Sequence, residues 1–371
     1  MASIYSIRCC GIATAKLQKK AGILGLLARK YYFCIVKERI VWADWAKALA
    51  AIGIVFIHLP QSQEWFYYRY LQATVVVIFF FMSGYLKKDR GTNRANWHKY
   101  WHSLLLPYFI YNALLYPYWW IKFYLQHGAP PDIAHALRPV IGTLLLQHEN
   151  AFCEPLDGPL WYLPAILILH LTVDLCRKSR HEHLILTALC LASVILYAAN
   201  KYYYFAPNLT PMGLMRNLPY YYMGYLFRRY NLFGTISAQC CLAISLACLA
   251  GSLLLFRWHL ICFFAGYHLW HIFLFYPVCL AFLFGVIYAC RALNGFNTRL
   301  ISHLSIGTLV IVGLHIVLIT ALNFVIERTL GLTSTYCYQW HEALLAAIFI
   351  TALLYPVILL AKKRIPLLLG R

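Results

Sequence analysis

The sequence predicts an all-α fold: a polytopic integral membrane helix bundle of about ten transmembrane helices, with both termini cytoplasmic. Three observations predict it. Of 371 residues, 62% are hydrophobic and only 12% charged, about half the charged share of an ordinary soluble domain. The apolar residues gather in runs long enough to cross a bilayer. The Lys and Arg residues gather in alternate connections between those runs.

A spanning helix needs roughly 20 mostly apolar residues to cross a hydrocarbon core about 30 Å thick. Runs of that kind lie at about 42–59, 71–86, 103–124, 159–176, 183–199, 212–227, 235–256, 269–290, 305–326 and 342–361. The stretch 257–290 is long enough for one helix plus an interfacial segment, and 138–148 has room for a short re-entrant or interfacial helix.

Charge orients these runs. With the N-terminus inside, the inner connections carry Lys87, Lys88, Arg90, Arg94 and Lys99, then Arg177, Lys178 and Arg180, then Arg228 and Arg229. Arg291, Arg299, Lys362, Lys363, Arg364 and Arg371 follow. The outer connections carry Arg69, Arg138, Lys201, Arg257 and Arg328 against Glu64, Asp132, Glu149, Glu154, Asp157, Glu327 and Glu342. Every inner connection is basic under this one assignment, as the positive-inside rule requires. Residues 1–39 then form a basic cytoplasmic N-terminal arm. Its apolar patch, Ile23–Leu27, is too short to span, and no small-residue cleavage site follows it. Residues 365–371 form a cytoplasmic tail.

The net charge of +20 would suggest nucleic acid in a soluble protein, but here the basic residues sit in short loops that set topology. The thirteen cysteines form no C-x-x-C, and most lie in apolar runs, where free Cys behaves as a small hydrophobe. Only Cys153 and Cys337 fall in outer loops, where a disulfide is possible. No H-E-x-x-H, P-loop or G-x-G-x-x-G is present, and no metal site is expected. Aromatic clusters at Trp65–Tyr68, Tyr116–Trp120 and Tyr202–Phe205 mark the outer interface, as an anchoring belt or as stacking surface for a sugar or isoprenoid.

The first run reads RIVWADWAKALAAIGIVFIHLPQ. Lys47 and His58 are eleven residues apart, so they point within about 20° of each other and lie about 16 Å apart along the axis. Asp44 sits one turn before Lys47, near the same face. Lys47 alone reads equally as a snorkelling interfacial residue, and His58, ahead of Leu59-Pro60, as a capping one. Together on one face they favour a shared polar path, because ionisable groups in a span are costly and face a protein interior or wet cavity.

At these residues the chain resembles the membrane-bound acyltransferase-3 family. D-x-x-K-x10-H over Asp44, Lys47 and His58 is similar to its basic-x10-His signature. Lys in place of the frequent Arg resembles the branch with fucose 4-O-acetylase-like and enterobacterial common antigen O-acetyltransferase-like proteins. Phe80-Phe81-Met82-Ser83-Gly84-Tyr85 resembles the family's FFxxSGY end of the second helix. Gly158-Pro159-Leu160-Trp161-Tyr162-Leu163 resembles its G-x-LWFL helix start, and Ser305 to His315 its S-L-x-I-Y-x-x-H segment. Pro219–Arg229 resembles a further stretch. The resemblance covers 40–364 as an acyltransferase-3-like transmembrane domain.

The resemblance implies an integral membrane O-acyltransferase, most simply an O-acetyltransferase. It would move an acyl group from a cytoplasmic donor such as acetyl-CoA to a hydroxyl of a surface or lipid-linked glycan, for instance an undecaprenyl-linked saccharide. The expected setting is the cell inner (plasma) membrane; the expected partners are the bilayer, the acyl-CoA co-substrate and the glycan, with no bound cofactor and no nucleic acid. A sugar hydroxyl is a weak nucleophile, so His58 is the expected general base, since neutral imidazole suits that role near pH 7. Lys47 would meet donor phosphate or the pantetheine carbonyl, and Asp44 would hold Lys47 oriented. His315, Arg216, Trp161, Ser83, Tyr85, Glu154 and Asp157 are candidate substrate-binding residues. Plainer readings stand beside them: His315 in packing, Ser83 with Gly84 in a close helix contact, Trp161 as an interface anchor, Glu154 and Asp157 in a solvated loop. Arg216 lies inside a span, where a cation needs a ligand or an internal carboxylate. The competing function is a transporter or flippase of a lipid-linked saccharide, though no inverted repeat is visible; a non-catalytic assembly partner is a third.

Overall fold

A computed structural model describes residues 39–87, 93–147, 152–156, 158–203, 210–264 and 268–371. The N-terminal arm through residue 38, and Asp157, lie outside them. Val41–Arg371 forms one compact unit. Among the described residues the chain is helical throughout, without a β-sheet.

Helix α1 (Val41–His58) ends where Pro60 forbids another turn. It is followed by α2 (Phe66–Tyr85) and a short α3 (Asn93–Tyr100). One π-helical turn, Trp101–Leu105, joins α3 to α4 (Leu106–His127), which stops at Gly128 in the left-handed region, φ 69°. Helix α5 (Ile133–Leu144) starts at Asp132, whose side chain accepts a hydrogen bond from the His135 backbone N–H. That bond holds the Asp132 carboxyl below the usual carboxylate range. A 3₁₀ turn, Gly158–Trp161, leads into α6 (Tyr162–Cys176). Then come α7 (Glu182–Tyr203), α8 (Thr210–Arg229), α9 (Ala238–Phe264) and α10 (His268–Ala292). The last are α11 (Arg299–Ile306), α12 (Thr308–Leu330) and α13 (Trp340–Arg364).

Eight of these, α1, α2, α6, α7, α9, α10, α12 and α13, are long and apolar enough to cross a membrane. Helices α4 and α8, of 22 and 20 residues, are also long enough, since 20 residues rise about 30 Å. Tyr, Trp, Asn, Pro and Arg dilute their hydropathy. These two coincide with the expected runs 103–124 and 212–227, so eight of the ten expected runs meet both the length and the hydropathy of a span among the described residues.

Four expectations meet the structure in detail. The run 305–326 is broken, because α11 ends at Gly307 before α12 begins. A methyl group on Gly307 would meet the Ile358 side chain at 2.4 Å, so the break lets α13 approach closely. The 138–148 region becomes α5, with Ile133, Leu137, Val140, Ile141 and Leu144 exposed along one stripe; the spacing is that of an apolar helix face lying in an interface. Lys87 is not a loop charge. It is buried against Asp174 at 2.5 Å, with Tyr100 OH completing a network across the ends of α2, α3 and α6. Cys337 carries an exposed unpaired thiol, so the possible disulfide to buried Cys153 is not formed.

Helix α1 sits in the middle of the bundle, packed against α2, α10, α11, α12 and α13. Its buried alanines, Ala43, Ala46, Ala48, Ala50 and Ala51, permit that crowding. Helices α2 and α8 touch through paired glycines. A methyl on Gly84 would lie 2.0 Å from the Tyr221 carbonyl oxygen, and one on Gly224 would lie 2.0 Å from that of Phe81. This backbone-to-backbone contact gives the Ser83-Gly84-Tyr85 and Met223-Gly224-Tyr225 stretches a shared structural reason. Substituting Gly84→Val should therefore destabilise the solubilised protein by at least the cost of core overpacking, about 1–3 kcal/mol. Thermal unfolding in detergent, compared with Gly251→Val at an open position, measures it; equal midpoints would refute the contact.

Candidate functional site

A cavity of about 670 Å³ lies at the end of the bundle where α1 and α4 finish and α2, α6 and α8 begin. Ile54, Ile57 and His58 line it from the last turns of α1, and Tyr68, Gln72, Val76 and Phe79 from α2. Gly158, Trp161 and Tyr162 close a second side, and Met212, Gly213 and Arg216 of α8 a third. Lys122, Leu156, Pro159, Tyr197, Val312 and Ile316 complete the wall. Lys122 is exposed, so the cavity reaches the molecular surface beside it.

His58 Nδ1 lies 2.7 Å from the Ile54 carbonyl oxygen. A carbonyl only accepts, so Nδ1 is the protonated nitrogen of the neutral ring and Nε2 keeps its lone pair. Behind it, the His315 ring stands edge-on, centroids 4.9 Å apart. His315 is fully buried, and its Nδ1 reaches the Ile311 and Val312 carbonyls at 2.9 and 3.0 Å. Its Nε2 is buried without a hydrogen-bond partner among the described residues. His315 does not line the cavity; it backs the residue that does.

Asp44 ties α1 to a second helix. It accepts a 2.5 Å hydrogen bond from Ser305 Oγ, which joins the start of α1 to α11. The segment Ser305–His315 therefore meets α1 twice, at Asp44 and at His58, running parallel to it. Lys47 is half-buried, one turn beyond Asp44, and is not part of the cavity wall. The α1 face thus carries two separate polar places: Asp44 and Lys47 at one end, His58 in the cavity at the other.

The remaining candidates divide. Trp161 lines the cavity and stacks on Phe80 at 5.7 Å. Arg216 lines it with its guanidinium 5.7 Å from the centre of the Phe275 ring. Ser83 lies one contact away, with Oγ 2.7 Å from the OH of cavity-lining Tyr162. Tyr85 faces elsewhere, packed on Trp42, Phe81 and Phe233 beneath the Arg228 guanidinium. Glu154 accepts from Trp119 Nε1 at 2.9 Å and is not in the wall. Asp157 lies outside the described residues.

Tyr162, Gln72 and Lys122 were not singled out by sequence reasoning. Tyr162 stood inside the quoted Gly158–Leu163 stretch. Lys122 was findable by the argument that found Arg216, a lone cation in a long apolar and aromatic helix.

Trp161 holds its place because residue 213 is glycine; a methyl there would lie 2.1 Å from the indole. Gly213→Val should lower the melting temperature of the purified protein, and adding Trp161→Leu, which vacates the space, should recover much of the loss. A double variant no better than Gly213→Val would disprove the contact.

Compared with known proteins, the chain matches one family model, that of the acyltransferase-3 family, described as an acyltransferase domain, over residues 40–365. No curated protein and no solved structure matches it.

Proposed function

The chain belongs to the acyltransferase-3 family, and from this premise we propose that it is an integral membrane O-acyltransferase, most simply an O-acetyltransferase of the cell inner membrane. The donor is a cytoplasmic acyl-CoA such as acetyl-CoA, and the acceptor is a hydroxyl of a surface or lipid-linked glycan. The observation that carries this reading is the His58 ring: Nδ1 is tied to the Ile54 carbonyl, while Nε2 is left as a base beside a cavity of about 670 Å³.

The chemistry follows from that tautomer. The acceptor oxygen attacks the thioester carbonyl as His58 Nε2 removes its proton, and the C–O bond forms as the C–S bond breaks. The imidazolium then returns the proton to the departing thiolate. The products are an ester and a free thiol, with no net proton change and no metal required by the balance. The His315 ring and the Ile54 carbonyl hold the imidazole plane, so little reorganisation accompanies proton transfer. Aromatic walls at Phe79, Trp161 and Tyr162 offer flat surfaces on which a sugar ring can stack.

Lys47, about 16 Å from His58 along α1, is suited to the donor. Under the positive-inside assignment it lies toward the basic cytoplasmic loops, and Lys at this position supports the fucose and common-antigen acetylase-like branch. Asp44, anchored by Ser305, keeps that end of α1 fixed against α11.

His58→Ala should reduce acyl transfer by about 10²–10⁴-fold, the usual worth of a general base, with membrane level unchanged. Mass spectrometry of surface glycans in cells with and without the variant reads the O-acyl increment; an undiminished increment would sink the mechanism. Lys47→Ala should raise KM for acyl-CoA several-fold while leaving KM for the acceptor alone, and the reverse pattern would move Lys47 to the acceptor side.

A further inference from the structure

The cavity beside His58 carries positive charge that no carboxylate in its wall neutralises among the described residues. Arg216 has five N–H donors to satisfy, yet its Nε is buried without an acceptor among the described residues, and its guanidinium faces the Phe275 ring. Lys122, across the same cavity, likewise makes no ion pair among the described residues. Two cations sharing a partly aromatic, low-dielectric wall repel each other, and an unpaired cation within a span is expensive. Retaining both makes physical sense when a counter-anion arrives with the ligand.

Depth narrows the anion. Lys122 lies five residues before the end of α4, and Arg216 six residues after the start of α8. Both are therefore within about 9 Å of a helix end, at the end of the bundle away from Lys47. Ammonium and guanidinium groups both suit phosphate, the guanidinium through paired N–H donors. Lys47, the residue suited to the donor, lies at the opposite end of α1, which leaves this anion to the other substrate.

We propose that Arg216 and Lys122 form a phosphoryl subsite at the mouth of the cavity, which within the proposed function receives the phosphate of a lipid-linked acceptor. The identification of the acceptor rests on the acyl-transfer reading above; the phosphoryl subsite does not. The phosphate binds at the mouth, the lipid stays in the bilayer beside Lys122, and the saccharide reaches inward to His58. A neutral free glycan would bring neither cation a counter-anion.

Inorganic pyrophosphate is the first probe, added at constant ionic strength to the purified full-length protein in neutral-lipid nanodiscs, with thermal stabilisation giving Kd. Saturable binding is expected, weakened at least tenfold in Arg216→Gln and several-fold in Lys122→Gln, whose exposed side chain can be changed without harm to folding. His58→Ala should bind pyrophosphate like wild type while losing acyl transfer, which separates the subsite from the catalytic reading. Absence of binding to wild type, or equal binding by wild type and Lys122→Gln, overturns the subsite. Competition assigns the source. Displacement by a short-chain isoprenyl diphosphate, but not by coenzyme A, supports the lipid-linked acceptor. Displacement by coenzyme A at equal concentration, or loss of binding when phosphatidylglycerol replaces neutral lipid, overturns that assignment in favour of the donor or a headgroup.

Discussion

The parallel packing of α1 against the Ser305–His315 segment is the constraint on which the site depends. At one end Asp44 accepts from Ser305, and at the other the His58 and His315 rings meet edge to face. Both contacts place polar groups inside an apolar bundle, where each must find a partner or lose free energy. A sliding shift of α1 by one turn would break both at once. The pair of contacts therefore sets the depth at which His58 enters the cavity, as no run of aliphatic residues could.

Around this pair, small residues allow close approach and aromatic residues fill what remains. The alanines of α1 and the reciprocal Gly84 and Gly224 bring backbones together. Phe79, Phe80 and Phe81 then divide by helical period: Phe79 to the cavity, Phe80 against Trp161, and Phe81 toward Phe227 and Phe284. Lipid supplies no hydrophobic drive between helices, so such fitted contacts carry much of the cohesion. The buried Lys87–Asp174–Tyr100 network adds a polar tie just past the C-terminal end of α2.

Much of this was legible in one dimension, because what the sequence encodes locally is period and run length. The bundle follows from apolar runs, and the α1 polar face from the Lys47–His58 spacing. Partners 261 residues apart, such as Asp44 and Ser305, leave no local trace, so the sequence offers Asp44 its neighbour Lys47 and hides Ser305. Gly307 was hidden inside an apolar run that continues on both sides of the break. Tyr85 is the instructive case. It lies two residues from Ser83, hence about 200° around α2, so the two could not both face one ligand; the structure gives Ser83 to Tyr162 and Tyr85 to Trp42. Lys122 was passed over beside louder aromatic neighbours, although a lone cation in a span is the stronger signal.

The separation of charges along the bundle bears on how two substrates with opposite demands would meet. On the proposed function, a thioester donor brings its own phosphates and approaches from the side of the basic loops, where Lys47 and Asp44 stand. The cavity with Arg216 and Lys122 lies at the far end of the same helix, with His58 at its inner wall. Were both anionic substrates drawn to a single basic patch, they would compete for it. With the cations split between the two ends of α1, each substrate is held by its own charge, and the stretch between them needs to carry only an uncharged acyl arm. An uncharged arm is what an apolar, alanine-lined helix can accommodate at least cost. On the proposed reading the stretch of α1 between Lys47 and His58 is the interval that arm crosses; its alanines are buried against neighbouring helices, and the cavity reaches α1 from Ile54 to His58.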